Sequence, residues 1–292
     1  MTRHLCSIDD LSNEAIRGIL DDAAVFAEDL RAHATRLPDR IVAAAFFEPS
    51  TRTRLSFEAA AHRLGARVVG FADGGSTSSV KGETLEDTVR VLSGYGDLIV
   101  LRHPEIGAAK RAASVADVPV VNAGDGAGEH PTQTLLDLFT MRRSLGRLDG
   151  IRVAVMGDLR YGRTVHSLVP ALHRLGADVV QVPGAGLRLP DGLDVDEVAL
   201  ESAAADCDVL YVTRVQKERI PAEHRSDGPS LIVDGDLLRR TGSKAIVMHP
   251  LPRVDEIAVD VDSLPSAKYF EQARNAVPVR MAVLGHLLGD PA

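Results

Sequence analysis

The chain has 292 residues, of which 45% are hydrophobic and 25% charged, with a formal net charge of -8. That length exceeds one ordinary core and predicts two domains, and the composition is that of a globular protein in water. The acidic total argues against general nucleic-acid binding, which uses a basic face, and no apolar run approaches the ~20 residues of a membrane span.

Cys6 and Cys207 are the only cysteines. They form neither a metal motif nor a disulfide framework, which points to a reducing cytoplasm. The segment Met1-Thr2-Arg3-His4-Leu5-Cys6 lacks the apolar core of a signal peptide. In an acidic chain, local clusters of arginine mark where small anions bind.

In chain order, the stripe Ala15, Ile16, Ile19, Leu20 and Ala23 predicts a first helix. Strands are predicted over 41–47, 68–71, 98–101 and 118–121, with helices over 55–64, 85–92 and 132–141. The polar, glycine-containing stretch Ser144-Leu145-Gly146-Arg147-Leu148-Asp149-Gly150 predicts a domain boundary. Beyond it, strands are predicted over 153–156, 179–182, 209–212, 231–233 and 245–248, and helices over 164–175 and 279–288. Most apolar runs are continuous rather than alternating, as in strands buried on both faces. The fold class is α/β, two domains, each a mainly parallel sheet flanked by helices.

Ligands of open α/β sheets bind at the carboxyl ends of the strands, so the residues following each run carry the functional signal. After 41–47 comes Glu48-Pro49-Ser50-Thr51-Arg52-Thr53-Arg54 at a predicted helix start. One serine there would be a helix cap. Three hydroxyls with arginine, beside free backbone N–H groups and the positive end of a helix dipole, read as a phosphate cradle. This is not a Walker A loop. After 98–101 comes Arg102-His103-Pro104. After 118–121 a glycine-rich turn leads to His130-Pro131-Thr132-Gln133. Pro131 suits the first helical position, which puts His130 and Gln133 at a helix start. His130 remains open between a catalyst and an ordinary buried or surface histidine.

In the second half, 153–156 runs into Gly157-Asp158-Leu159-Arg160-Tyr161-Gly162-Arg163, which lacks the glycine spacing of a dinucleotide turn. The run 209–212 leads to Thr213-Arg214-Val215-Gln216-Lys217-Glu218-Arg219, and 245–248 to His249-Pro250-Leu251-Pro252-Arg253. The spaced prolines predict a rigid turn, with Pro252 a candidate for a cis bond. The stretch Gly74-Gly75-Ser76-Thr77-Ser78-Ser79-Val80-Lys81-Gly82-Glu83 reads, on its residues alone, as a solvated loop.

Together these motifs resemble the aspartate/ornithine carbamoyltransferase family. Phe47 to Arg54 with His130 to Gln133 is similar to the family's shared signature. The segments Gly157 to Ser167, Thr213 to Arg219 and His249 to Glu256 resemble its aspartate branch. The resemblance runs from about Leu5 to Leu288 and departs from the family pattern in two places. One residue is absent before Lys81, and the stretch 184–201 is trimmed.

The resemblance implies a carbamoyl-phosphate-binding domain over 1–143 plus 272–292, with the last helix returning to it, and an aspartate-binding domain over 144–271. It implies transfer of the carbamoyl group from carbamoyl phosphate to the amine of L-aspartate, a step of pyrimidine biosynthesis. It also implies a homotrimer whose neighbours share active sites, which turns the Ser78–Lys81 loop from a solvated loop into part of the adjacent site. Ser50, Thr51, Arg52, Thr53 and Arg102 would hold phosphate, joined by Ser78 (or Ser79 in its place) and Lys81. Thr53, Arg102 and His130 would polarise the carbamoyl oxygen, while Gln133 and the backbone at Leu251 and Pro252 position the carbamoyl amide. Arg163, Arg214, Gln216 and Lys81 would hold aspartate, and Glu48 with Arg219 would favour domain closure. No metal, organic cofactor or covalent intermediate is implied, and a regulatory chain or a dihydroorotase is a possible partner.

The rival ornithine branch carries a Ser-Met-Gly segment and a His-Cys-Leu-Pro turn where this chain has Thr213-Arg214-Val215-Gln216 and His249-Pro250-Leu251-Pro252. Arg214 would repel an ammonium and attract a carboxylate. A second rival, an inactive scaffold of the same fold, should have lost anion ligands, and every ligand type is present here.

Overall fold

The computed structural model describes residues 3–193, 195–215 and 231–289. It divides into two compact units, Met1–Phe139 with Asn275–Ala292, and Thr140–Arg274. Among the described residues no helix is long and apolar enough to cross a membrane.

The first unit is built on a parallel sheet ordered β2-β1-β3-β4, with β1 at Ile41–Phe46, β2 at Arg67–Phe71, β3 at Leu98–His103 and β4 at Val120–Asp125. β1, β3 and β4 are buried along nearly their whole length, which explains the continuous apolar runs of β1 and β3, whereas β4 buries Asn122 and Asp125 in its second half. Ala43, Ala45, Ile99 and Leu101 pack in one core with Leu85, Val89 and Leu92 of α3 (Leu85–Ser93) and Ala108, Ala109 and Ala112 of α4 (Ala108–Ala113). The extended N-terminal residue Leu5 bridges β4, donating to the carbonyl of Val120 and accepting from the N–H of Asn122 at 2.8 Å each. Helix α1 (Asn13–Glu28) begins at Ser12, whose hydroxyl accepts from the N–H of Ala15, an ordinary serine cap. Helices α2 (Thr51–Arg63) and α5 (Pro131–Leu145) follow β1 and β4. The C-terminal part of α9 (Tyr269–Leu288) returns to this unit.

The second unit carries a parallel sheet ordered β7-β6-β5-β8-β9. Its strands are β5 (Arg152–Gly157), β6 (Asp178–Pro183), β7 (Asp196–Glu197), β8 (Val209–Val212) and β9 (Ile246–Met248). Ala154, Met156, Val180, Val182, Leu210 and Val212 share a core with Ala203 and Ala204 of α7 (Leu200–Asp206), Leu237 and Leu238 of α8 (Gly235–Arg240) and Tyr269. Helix α6 (Arg163–Arg174) connects β5 to β6.

Several elements differ from the sequence reading. Residues 231–233 form no strand: Val233 makes an isolated bridge to Ile257, through Val233 N–H to the carbonyl of Glu256 and Ala258 N–H to the carbonyl of Val233. The chain then turns into α8, capped by Asp234 at 2.7 Å from the N–H of Leu237. The fifth strand is instead β7, two exposed acidic residues with no apolar signal. Helices α2 and α9 start earlier than their apolar periodicity, at Thr51 and Tyr269, and α9 runs through Pro278 as α6 does through Pro170. The short helices α4, α7 and α8 had no counterpart in the sequence reading.

Cys6 and Cys207 are both buried, and the Cys6 thiol faces the carbonyl oxygen of Ala109 at 3.4 Å. Burial pushes their pKa values up from the ordinary 9.0, to about 12 for Cys6 and about 11 for Cys207. A raised folded pKa means that native structure favours the neutral thiol. The associated stability is complete below the unfolded value and is lost as pH climbs through the folded one. At pH 8, a thiol of pKa near 11 is ionised ~100-fold less than one near 9, and the thiolate is the reacting species. Native protein at pH 8 is therefore expected to react slowly with a thiol reagent, and denatured protein to yield two rapid equivalents. Fast native labelling of either cysteine would contradict the burial.

Candidate active site

All strands of the first sheet are parallel, so β1, β3 and β4 present their carboxyl ends side by side. Phe46 is in register with Arg102, and the N–H of Phe47 donates to the carbonyl of Arg102 at 2.8 Å. The chain then passes through Glu48 into α2. Ser50 occupies the N-cap position with φ -156°, yet its side chain makes no capping hydrogen bond. Its hydroxyl is not committed to the helix end, unlike that of Ser12. No acidic residue lies in the first turn of α2, so the positive end of the helix meets Ser50, Thr51, Arg52 and Thr53 alone. Thr53 is buried, while Thr51 and Arg52 are exposed by surface area. Enough protein nevertheless surrounds the Arg52 guanidinium for desolvation to lower its pKa from the ordinary value.

Arg102 is only 9% exposed. Its Nη2 pairs with Glu48 Oε1 at 2.7 Å, and its Nη1 donates to the carbonyl of Ala123 at 3.1 Å. These contacts hold the guanidinium between the ends of β1 and β4. The neighbouring His103 ring packs 5.0 Å from Phe47 and accepts at Nδ1 from the N–H of Glu105. Burial lowers its pKa.

The loop after β4 is fixed by carboxylates. Asp125 accepts from the N–H groups of Gly107 (2.8 Å) and Glu129 (2.9 Å) and from Asn122 Nδ2 (3.1 Å). Glu129 in turn accepts from the hydroxyl of Ser7 and the N–H of Ile8. Against this frame His130 stands at the start of α5, 4% exposed, with Thr132 Oγ1 3.5 Å from its Nδ1. Gln133, one turn in, is also buried, and its Nε2 donates to Asp137 Oδ1 at 2.8 Å. The sequence reading missed Asp125, Glu129 and Asp137. A carboxylate one helical turn after Gln133 was the available signal for Asp137.

Beyond the edge strand β2, Gly74–Ser76 and Ser78–Lys81 form two short 3-10 turns. Asp73 and Thr77 stabilise the first, accepting from the N–H of Gly75 and donating to the carbonyl of Gly74. Ser78 and Lys81 are exposed. The side chain of Ser79, and the residues Gln216 and Arg219, lie outside the described residues.

In the second unit, β5, β8 and β9 are neighbours and again end on one side. Gly157, at φ +103°, closes β5. A Cβ there would lie 2.3 Å from the carbonyl oxygen of Thr213, so glycine is what lets the ends of β5 and β8 approach. The Thr213 hydroxyl ties this junction, 2.8 Å from the carbonyl of Met156 and 3.2 Å from that of Asp158. Asp158, fully buried, accepts from the N–H of Tyr161 at 3.0 Å and shapes the turn into α6. Arg163 is the first residue of α6 and is 7% exposed. Arg214 directly follows Thr213 and is half-buried.

After β9, Leu251 adopts φ +56° and the Leu251–Pro252 bond is cis. The turn is braced by a buried histidine. The N–H of Leu251 donates to His249 Nδ1 at 2.7 Å, and His249 Nε2 lies 2.7 Å from Glu256 Oε1. A backbone N–H can only donate, so Nδ1 is the acceptor and Nε2 carries the proton to Glu256. Burial alone would raise the pKa of Glu256, but hydrogen bonds from His249 and from the backbone outweigh it and bring the value down.

The first half of the chain, residues 3–143, matches the family model "Aspartate/ornithine carbamoyltransferase, carbamoyl-P binding domain". Residues 149–287 match the companion "Asp/Orn binding domain". The aspartate carbamoyltransferase catalytic subunit of Chromobacterium violaceum is 49% identical over 99% of this chain and 98% of its own length. That of Halorubrum lacusprofundi is 51% identical over 98% of this chain and 95% of its own. Among solved structures, the catalytic subunit of M. jannaschii aspartate transcarbamoylase superposes with a TM-score of 0.88 at 48% identity, covering 98% of each chain. Aspartate transcarbamoylase from Trypanosoma cruzi, in complex with carbamoyl aspartate and phosphate, does so at 0.89 and 38%, covering 100% of this chain and 96% of its own. The chain belongs to the aspartate/ornithine carbamoyltransferase family.

Proposed function

We propose that this chain transfers the carbamoyl group of carbamoyl phosphate to the amine of L-aspartate, releasing phosphate and N-carbamoyl-L-aspartate, as a step of pyrimidine biosynthesis. The observation that carries this reading is a buried arginine at or beyond a strand end in each unit, Arg102 at the end of β3 and Arg163 after β5, with a second arginine after the neighbouring strand, Arg52 after β1 and Arg214 after β8. Relatives named for this reaction span nearly the whole chain, and the Trypanosoma cruzi enzyme has been solved with carbamoyl phosphate and aspartate together.

In this reading Ser50, Thr51, Arg52, Thr53 and Arg102 hold the phosphate. The uncapped hydroxyl of Ser50 and the N–H groups opening α2 serve the same anion. The aspartate amine, once deprotonated, attacks the carbamoyl carbon. A C–N bond forms, the carbonyl oxygen gains negative charge, and Thr53, Arg102 and His130 donate to it. The C–O bond to phosphate then breaks, the surplus proton of the attacking nitrogen passes to the departing phosphate oxygen, and the resulting hydrogen phosphate dianion stays on cations already in place. Gln133 and the backbone at Leu251 and Pro252 hold the carbamoyl amino group, and Arg163 and Arg214 hold the aspartate carboxylates. A guanidinium binds either anion with two parallel hydrogen bonds. An aspartate substrate also fits Arg214 in a way that a cationic side chain does not, which favours this branch over ornithine transfer.

Catalysis here is neutralisation and alignment rather than covalent participation. Two like charges 4 Å apart repel by about 4 kcal/mol at an effective dielectric near 20. Both substrates are anionic, so several such terms must be offset before the reacting atoms meet. The exposed Ser78 and Lys81 serve a neighbouring subunit in a homotrimer of the cytoplasm, completing its phosphate and aspartate ligands.

Arg52→Ala is expected to lower turnover by about 10²–10³-fold, the usual loss on removing a transition-state donor. A rate within a few-fold of wild type would remove Arg52 from the phosphate site. Arg214→Ala should raise KM for aspartate at least tenfold while leaving carbamoyl-phosphate affinity nearly unchanged, and equal weakening of both would overturn its assignment. Mixing inactive Lys81→Ala and Arg52→Ala chains should restore part of the activity, because some interfaces then bring two intact contributions together. Verified mixed trimers without activity would refute site sharing.

A further inference from the structure

Behind the side chains assigned to carbamoyl phosphate, α9 inserts a guanidinium into the interior of the first unit. Arg280 is 2% exposed, and burial brings its pKa down to about 9, with the charge of Asp137 opposing that shift. Arg280 Nη1 donates to the hydroxyl of Ser56, and its guanidinium carbon stands 4.7 Å from the centroid of the Phe57 ring. The Ser56 hydroxyl also lies within hydrogen-bond distance of the carbonyls of Arg52 and Thr53. One buried side chain thus braces the first turn of α2. Asp137, whose charge opposes the cost of burying this guanidinium, belongs to α5.

Asp137 is fully buried and receives Gln133 Nε2 at 2.8 Å. The side-chain amide of glutamine has one acceptor end and one donor end, whereas an ionised carboxylate only accepts. An ionised Asp137 therefore selects one of the two amide orientations, with Nε2 toward itself and Oε1 turned away. Were the carboxyl protonated, it could donate to Oε1 and the preference would vanish. A buried carboxyl left alone drifts toward that neutral form, and a nearby cation opposes the drift.

We propose that Asp137 is a positioning residue that fixes Gln133 Oε1 as an acceptor for the amino group of carbamoyl phosphate, so that the site selects a carbamoyl group over an acyl group without N–H. The inference rests on the reading of Gln133 as a carbamoyl-phosphate ligand given above. Phosphate-binding groups cannot supply this discrimination, because they see the same phosphate in either compound. Gln133 is the side-chain acceptor among donors, and its orientation decides whether it meets an amino group with an oxygen or with a competing N–H.

Acetyl phosphate carries a methyl where carbamoyl phosphate carries the amino group and serves as the probe. The readout is the ratio of the acetyl-phosphate inhibition constant to the carbamoyl-phosphate dissociation constant in the full-length enzyme. Asp137→Asn should lower that ratio about tenfold, the size of one oriented hydrogen bond, mainly through weaker carbamoyl-phosphate binding. The double variant Asp137→Asn with Arg280→Met removes both buried charges together and should give the same lowered ratio if the single variant fails to fold. Gln133→Ala should lower the ratio at least as far, and adding Asp137→Asn to it should change the ratio no further. A folded Asp137 variant that weakens both phosphates equally, or neither, overturns the positioning role even where Gln133→Ala lowers the ratio. An unchanged ratio in Gln133→Ala overturns the reading of Gln133 itself, and the proposal with it.

Discussion

Holding positive charge in place before an anion arrives is the constraint on which this structure depends. A guanidinium removed from water is unstable unless hydrogen bonds and counter-charges surround it. A guanidinium left fully in water is too mobile and too screened to align a substrate. Arg102 resolves the conflict by sharing its groups between the carboxylate of Glu48 and the carbonyl of Ala123. The pair sits at the carboxyl ends of parallel strands, where the following helices turn their positive ends the same way. In a chain of net charge -8, that placement makes the strand ends local exceptions to the overall sign, and attraction of anionic substrates follows from the geometry.

The loops bearing these groups owe their shape to a tier of buried polar contacts. Asp125 gathers three donors from three segments and so fixes the approach to His130. His249 plays a corresponding part in the second unit, accepting from Leu251 and donating to Glu256, which sets the turn at Leu251–Pro252. Gly157 belongs to the same tier through its missing side chain, since any Cβ would push Thr213, and with it Arg214, away from β5. A displacement of about 1 Å at a catalytic group is enough to lose much of a rate enhancement. These residues bear on the chemistry without touching it.

The sequence made the strands buried on both faces legible, because β1, β3, β5 and β8 carry continuous apolar runs bounded by polar turns, while β4 extends past its apolar run through Asn122 to Asp125. It was silent on β7, whose two acidic residues are held by backbone pairing with β6 and carry no hydrophobic pattern. It misread 231–233, where one buried valine makes a bridge and the chain then caps a helix. The starts of α2 and α9 were hidden for different reasons. The first turn of α2 is polar, as the proposed phosphate site requires and as an apolar stripe does not show, and Pro278 interrupts the pattern that would have carried α9 back to Tyr269. Of the site, the strand-end arginines and hydroxyls were legible because such groups, clustered directly after a buried strand, contribute little to packing and much to anion binding. Asp125, Asp137 and Arg280 were harder to find, since one charged residue in a core element has no period to betray it, and Arg280 meets Ser56 from the far end of the chain.

The carbamoyl amino group shows why such hidden partners arise. A site made for phosphate is filled with donors, and an amino group needs an acceptor there. A carboxylate would accept well but would repel the phosphate beside it. A hydroxyl accepts and donates and so discriminates poorly. A neutral amide adds no charge, yet it is ambiguous, because its two ends are nearly the same shape and of opposite polarity. Removing the ambiguity takes an acceptor-only group behind it, kept ionised by a cation that is itself withheld from the phosphate. Asp137, buried and hydrogen-bonded to Gln133, is such an acceptor-only group, and Arg280 is a buried cation of the same unit. The charge needed to orient Gln133 is thereby balanced within the core, and the cations facing the substrate remain available to it.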